Sequence, residues 1–137
     1  MRNRLFSGIL FTLLGLLEAV GPLTFFPVCE AMDGKYMKCH WTALAELGIG
    51  VIIATLGVLL IVLASRQIRI GISIAIGLNA ILVILVASTL IGVCAGIHMR
   101  CHALTLPALG LLGILTLLLA AANIWYLWNA DRKEGSV

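Results

Sequence analysis

A chain of 137 residues that is 62% hydrophobic and 11% charged, with a mean hydropathy of +1.16, carries more apolar surface than a core of its own can bury, so a lipid bilayer must be its solvent. The net charge of +3 carries topological information and points to no nucleic-acid partner. Four apolar runs are continuous rather than alternating, which excludes a β-barrel and predicts an all-α, integral membrane four-helix bundle filling the whole chain as one domain.

The first predicted span runs from about Leu5 to Phe26, behind Arg2 and Arg4. It is longer than a usual signal-peptide core and has no small-x-small cleavage site before Pro27, so it is expected to stay attached. Glu18 falls near its middle, and Gly21-Pro22 just beyond would loosen the helix and free backbone carbonyls. A polar connection follows over residues 27–41, holding Cys29, Glu30, Asp33, Lys35 and the run Met37-Lys38-Cys39-His40. Neither Cys29 nor Cys94 is preceded by a lipoprotein signal pattern.

The second span is predicted over about 42–64, with Glu46 roughly one turn inside it, and a short loop with Arg66 and Arg69 leads to the third span over about 70–93, which contains Asn79. The second polar connection, about 94–103, holds Cys94, His98 and the run Met99-Arg100-Cys101-His102. The fourth span covers about 104–128 and ends in Trp125, Tyr126 and Trp128 before a tail with Arg132 and Lys133. At ~1.5 Å per residue each span covers roughly 33 Å, enough for a hydrocarbon core of about 30 Å.

Of the nine basic residues, Arg2, Arg4, Arg66, Arg69, Arg132 and Lys133 share one side of a four-span chain. That side is expected to be cytoplasmic, with both termini there and both Cys-His connections facing outward from a bacterial inner membrane. On that outer side thiols meet an oxidising environment.

The two Cys-His connections have the same order of chemistry: Val28-Cys29 then Met37-Lys38-Cys39-His40, and Val93-Cys94 then Met99-Arg100-Cys101-His102. Matching them makes spans one and two equivalent to spans three and four, a duplicated two-helix hairpin related by an axis along the membrane normal. Gly92-x-x-x-Gly96, Gly48-x-Gly50 and Gly110-x-x-Gly113 are candidate points of close helix approach.

Phe26-Pro27-Val28-Cys29-Glu30, Met37-Lys38-Cys39-His40-Trp41-Thr42 and Ala45-Glu46-Leu47-Gly48-Ile49-Gly50 resemble a family of small bacterial four-span proteins assigned only as a domain of unknown function. The similarity covers nearly the whole chain. What it implies is a four-helix inner-membrane protein without an established activity, of a kind tending to be encoded near ABC-type transporter genes.

The thiols allow three readings. Cys29 with Cys39, and Cys94 with Cys101, bracket short loops as disulfides would, each closure being worth about 3 kcal/mol in the chain-entropy model; a bridge between the loops, such as Cys39 to Cys101, is equally open, since four cysteines allow three connectivities. Alternatively Cys39, His40, Cys101 and His102, with Met37, Met99 and Glu46, offer ligands for copper, zinc or haem, although neither loop has a C-x-x-C. The third reading is membrane thiol–disulfide exchange, with Lys38 and Arg100 beside the attacking thiols.

The two intramembrane carboxyl groups need partners of their own, because an isolated carboxylate at mid-bilayer costs at least roughly 2.5 kcal/mol. Glu46 is expected near the interface, within reach of Lys38, His40 or Arg100. For Glu18 the polar side chains at membrane depth are Asn79, Thr12, Thr55, Thr89 and Thr116. A protonated, hydrogen-bonded Glu18 is the structural expectation, and a proton or cation step in transport the functional one.

The favoured reading is a non-enzymatic accessory or interaction protein with no catalytic residues, capped by disulfides. Its partners would be the bilayer, an ABC-type transporter permease or a second copy. Under it, His40→Ala or His102→Ala leaves thermal stability in detergent nearly unchanged while replacement of any cysteine lowers the melting temperature; the reverse ranking refutes the staple.

Overall fold

The computed structural model describes residues 2–25, 34–35, 38–93, 95–98 and 101–135, with the Cys101 side chain excepted. Four α-helices make up the fold: α1 Arg2–Thr24, α2 Lys38–Val62, α3 Arg66–Leu85 and α4 Leu106–Gly135. A π-helical turn over Val86–Leu90 extends α3, and another over Cys101–Thr105 leads into α4. All four helices are long and apolar enough to cross a membrane.

Local chemistry explains the boundaries. Ser65, in extended conformation (φ −64°, ψ 126°), breaks the chain between α2 and α3. Pro107 stands in the first turn of α4, where its missing N–H is no loss. Gly92 adopts φ 74° and ends the α3 extension, its amide donating to the Val86 carbonyl at 3.1 Å. α2 begins at Lys38, ahead of the expected span, so Cys39 and His40 lie in the first helical turn.

The helices form a ring in chain order. α1 packs most closely on α2, and α3 on α4; lighter α2–α3 and α1–α4 seams close the ring. Neighbours are antiparallel, which puts both termini at one end and the Cys–His segments at the other. Phe11, Ile53, Leu60, Ile76, Val83 and Leu109 fill the axis, all fully buried, while large apolar side chains such as Phe6, Leu78, Leu111 and Leu118 cover the outside.

Apolar burial cannot drive helix association in lipid, because the acyl chains are as apolar as leucine; close backbone packing has to supply it. α1 and α2 meet through Gly8 and Gly15 on one side and Gly50 and Gly57 on the other. A Cβ at Gly15 would overlap the Ala54 amide nitrogen, and one at Gly50 the Ala19 amide nitrogen; one at Gly57 would sit 2.6 Å from the Thr12 nitrogen. In α3/α4, a Cβ at Gly113 would come within 2.7 Å of Ile84. Gly50 and Gly113 were expected at close approaches, whereas Gly48 and Gly110 face open space and Gly92 serves a turn.

Gly50→Val is therefore expected to separate α1 from α2 and to destabilise the bundle by about 1–3 kcal/mol or more. Gly48→Ala should be nearly silent. Reversible unfolding in mixed micelles checks both.

Candidate functional site

The α1/α2 seam fixes the register of the two acidic side chains. Since Gly50 lies against Gly15 and Ala19, Glu18 on α1 and Glu46, one turn before Gly50 on α2, are brought to within about one helical turn of each other along the bundle axis. Both are 0% exposed, and they lie within electrostatic range of each other. Glu46 thus points into the bundle, and the expected pairing is not made: neither of its oxygens accepts a hydrogen bond from Lys38, His40 or any other described side chain.

Glu18 meets Thr116 of α4, one of the partners the sequence offers. Thr116 Oγ1 lies 2.9 Å from Glu18 Oε1 and 2.8 Å from the Leu112 carbonyl oxygen, and is a donor to either. A hydroxyl has one hydrogen. Both contacts become hydrogen bonds together when Thr116 donates to Leu112 and Glu18 carries a proton that it donates to Thr116. Glu18 Oε2 has no partner. Pro22, four residues on within α1, has no N–H, so the Glu18 carbonyl also lacks its usual helical donor.

The result is a buried group of oxygens drawn from three helices: two carboxyl groups, one hydroxyl and one backbone carbonyl. Hard oxygen donors in an apolar shell suit a proton or a small cation rather than a soft metal. The two acids of the group belong to the first hairpin alone. Matching Cys29 to Cys94 places Val83 at the position of Glu18, and matching Cys39 to Cys101 places Ala108 at that of Glu46. Asn79, the other intramembrane polar candidate, donates to the Ala75 carbonyl at 2.9 Å within its own helix and takes no part.

At the Cys–His end, Cys39 is fully buried and shares a face of α2 with Thr42 and Glu46. Thr42 Oγ1 donates to the Gly92 carbonyl at 2.7 Å, tying α2 to the end of α3. His102, on the π turn before α4, is half-buried with Nδ1 sealed and unpartnered. Among the described residues no three His, Cys, Asp or Glu side chains gather as a metal-binding set. Cys29, Met37, Cys94 and Met99, and the Cys101 side chain, lie outside the described residues.

The opposite end carries polar packing that hydropathy does not disclose. Asn123, expected to reach solvent, is buried and donates to Ser73 Oγ at 2.8 Å, and Ser73 donates to the Arg69 carbonyl at 2.8 Å. Arg69 belongs to the first turn of α3, not to a loop, and is itself buried. Arg66, half-buried, clamps Glu134 with N–O distances of 2.6 and 3.0 Å, joining the start of α3 to the end of α4.

Fold and site together define an all-helical, four-helix membrane protein with an acidic pair sealed in its core. Residues 11–126, which include Glu18, Glu46 and Thr116, match the domain of unknown function DUF4418, and the chain belongs to that family. Comparison with the curated proteins and with the solved structures gives no match.

Thr116→Val keeps the shape of the side chain and deletes its hydroxyl, leaving Glu18 without a partner. It should destabilise the protein by about 1–3 kcal/mol, and Thr116→Ser should restore most of the loss; thermal unfolding in detergent measures both.

Proposed function

We propose that this protein is a non-enzymatic subunit of a membrane transport assembly and that the Glu18–Glu46 pair takes up and releases a proton within it. One observation carries the reading. Three carboxyl oxygens from two helices are sealed in the core without partners, beside a hydroxyl whose single hydrogen is already engaged.

A purely structural role would leave such oxygens satisfied, because an unpaired buried acceptor costs about 1–3 kcal/mol. Two carboxyl groups sharing one proton have instead two occupancies that differ by a full charge, and in a low-dielectric interior that difference is large. Glu18, Glu46 and Thr116 stand on α1, α2 and α4, so a change of occupancy would act on three helices at once.

The axis is filled by side chains, which favours proton handling over passage of a solute through one copy. We therefore assign the solute pathway, where there is one, to a partner: an ABC-type transporter permease or a second copy of this chain. In this reading the protein resides in a bacterial inner membrane, with the Cys–His end outward under a disulfide-stapled cap.

A second reading places copper, zinc or haem at the Cys–His end. It draws on His102 Nδ1, buried and unpartnered at the end that also holds buried Cys39. Stoichiometric metal or a Soret band after purification without chelator would support it, and neither would be found if the cap is only cross-linked.

The proton reading is tested in liposomes by infrared spectroscopy and by proton uptake under an imposed gradient. The wild type should show the carbonyl stretch of a buried protonated carboxyl group, which Glu18→Gln or Glu46→Gln removes while reducing uptake to background and leaving helicity intact. Undiminished uptake in the double variant would sink the proposal.

A further inference from the structure

At the end of the bundle that carries both termini, unsatisfied groups of the opposite kind gather. Arg69 is 8% exposed, and its Nε and Nη2 have no hydrogen-bond partner. Arg4 Nε and Asn3 Nδ2, both at the start of α1, are likewise buried and unpartnered. These four nitrogens are all donors.

They gather at one end of the bundle. Arg4, Arg66 and Tyr126 lie within electrostatic range of Arg69. Asn3 shares a groove with Asn123 and Tyr126 of α4, and Asn123 is bonded to Ser73, one turn beyond Arg69.

The acids at this end are already engaged elsewhere. Glu134 and Asp131 both face Arg66, at 2.6 and 3.7 Å, and among the described residues neither Arg4 nor Arg69 forms an ion pair. Ser73 and Asn123 hold the Arg69 backbone in place and leave its guanidinium nitrogens unspent. α1 and α3 both begin here, directing the positive ends of their dipoles at the same region, and the Ser65 side chain does not cap α3.

Two guanidinium groups held near each other without a counter-charge repel, and desolvation raises the cost of each. A single group that relieves both must be anionic and must present several acceptor oxygens. A phosphate does so, and arginine's fork of N–H donors matches its geometry.

We propose that Arg4 and Arg69, with Asn3 at the edge, bind a phosphate group. The group belongs either to an anionic phospholipid headgroup at the membrane surface or to free phosphate.

The test uses the full chain in an uncharged maltoside detergent, with phosphatidylglycerol and inorganic phosphate as separate probes. Retention is read by native mass spectrometry and stabilisation by melting temperature. Phosphatidylglycerol should stay bound to the wild type, with apparent affinity falling about tenfold or more in Arg4→Gln and in Arg69→Gln. Arg132→Gln, outside the cluster, should behave as the wild type.

Arg69→Lys keeps the charge and loses the fork, so it should fall between wild type and Arg69→Gln; Arg4→Gln carries the test if Arg69→Gln does not fold. Stabilisation by the lipid alone assigns the phosphate to a headgroup, and equal stabilisation by inorganic phosphate assigns it to the free anion. Binding of neither probe to the wild type, or binding undiminished in Arg4→Gln, overturns the proposal.

Discussion

The bundle depends on the contact of two backbones. Where Gly8 and Gly15 of α1 meet Gly50 and Gly57 of α2, the helices approach so closely that a Cβ at any of these positions would collide with the partner helix. In lipid this is a physical necessity, since dispersion between well-packed surfaces and not the expulsion of water must hold helices together. The same seam has a chemical consequence. Two helices locked by glycine in a single register carry their side chains at fixed depth, and Glu18 and Glu46 are among those side chains.

Depth then sets the chemistry. A carboxyl group this far from water is stabilised by a cation, by a proton or by strong donors. The described core provides the Thr116 hydroxyl beside Glu18 and no basic side chain paired with either acid. Pro22 increases the local concentration of oxygen acceptors by withdrawing a helical donor from the Glu18 carbonyl, in a helix that nevertheless continues, as the Phe25 amide bonded to the Gly21 carbonyl at 3.0 Å indicates. Acceptors without donors in an apolar core form a poor structural element.

Hydrophobic periodicity and basic-residue placement made the four helices and their alternation readable in advance, because span length and continuity are set by bilayer thickness. Thr116 was among the readable partners of Glu18, since few polar side chains exist at that depth. The depth of Glu46 was harder to read: distance along the chain placed it near the interface, and only the start of α2 at Lys38 and the seam with α1 bring it inside. Gly8, Gly15 and Gly57 fall outside the short glycine patterns of close helix approach. Their signal is a seven-residue spacing, Gly8 to Gly15 on one helix and Gly50 to Gly57 on the other, which is the repeat two antiparallel helices need to keep one face together. Arg69 looked like one more topogenic charge, as positive-inside reasoning counts basic residues without asking which of them fold inward.

The two hairpins differ in what they place at membrane depth. Both have close glycine contacts, yet only the first carries buried acids, and matching the two Cys-His segments puts Val83 and Ala108 opposite them in the second. A symmetric pair of acidic sites would put four carboxyl groups into one apolar core, each raising the cost of ionising the others. Confining them to α1 and α2 leaves α3 and α4 to supply the Thr116 hydroxyl at membrane depth and, at the opposite end, Arg69 and Asn123. The bundle thereby separates its polar groups by sign along its length: oxygen acceptors lacking donors in the core, nitrogen donors lacking acceptors where the chain begins. Among the described residues neither set has hydrogen-bond partners of its own, and the packed side chains of Phe11, Ile76 and Leu109 fill the axis of the bundle.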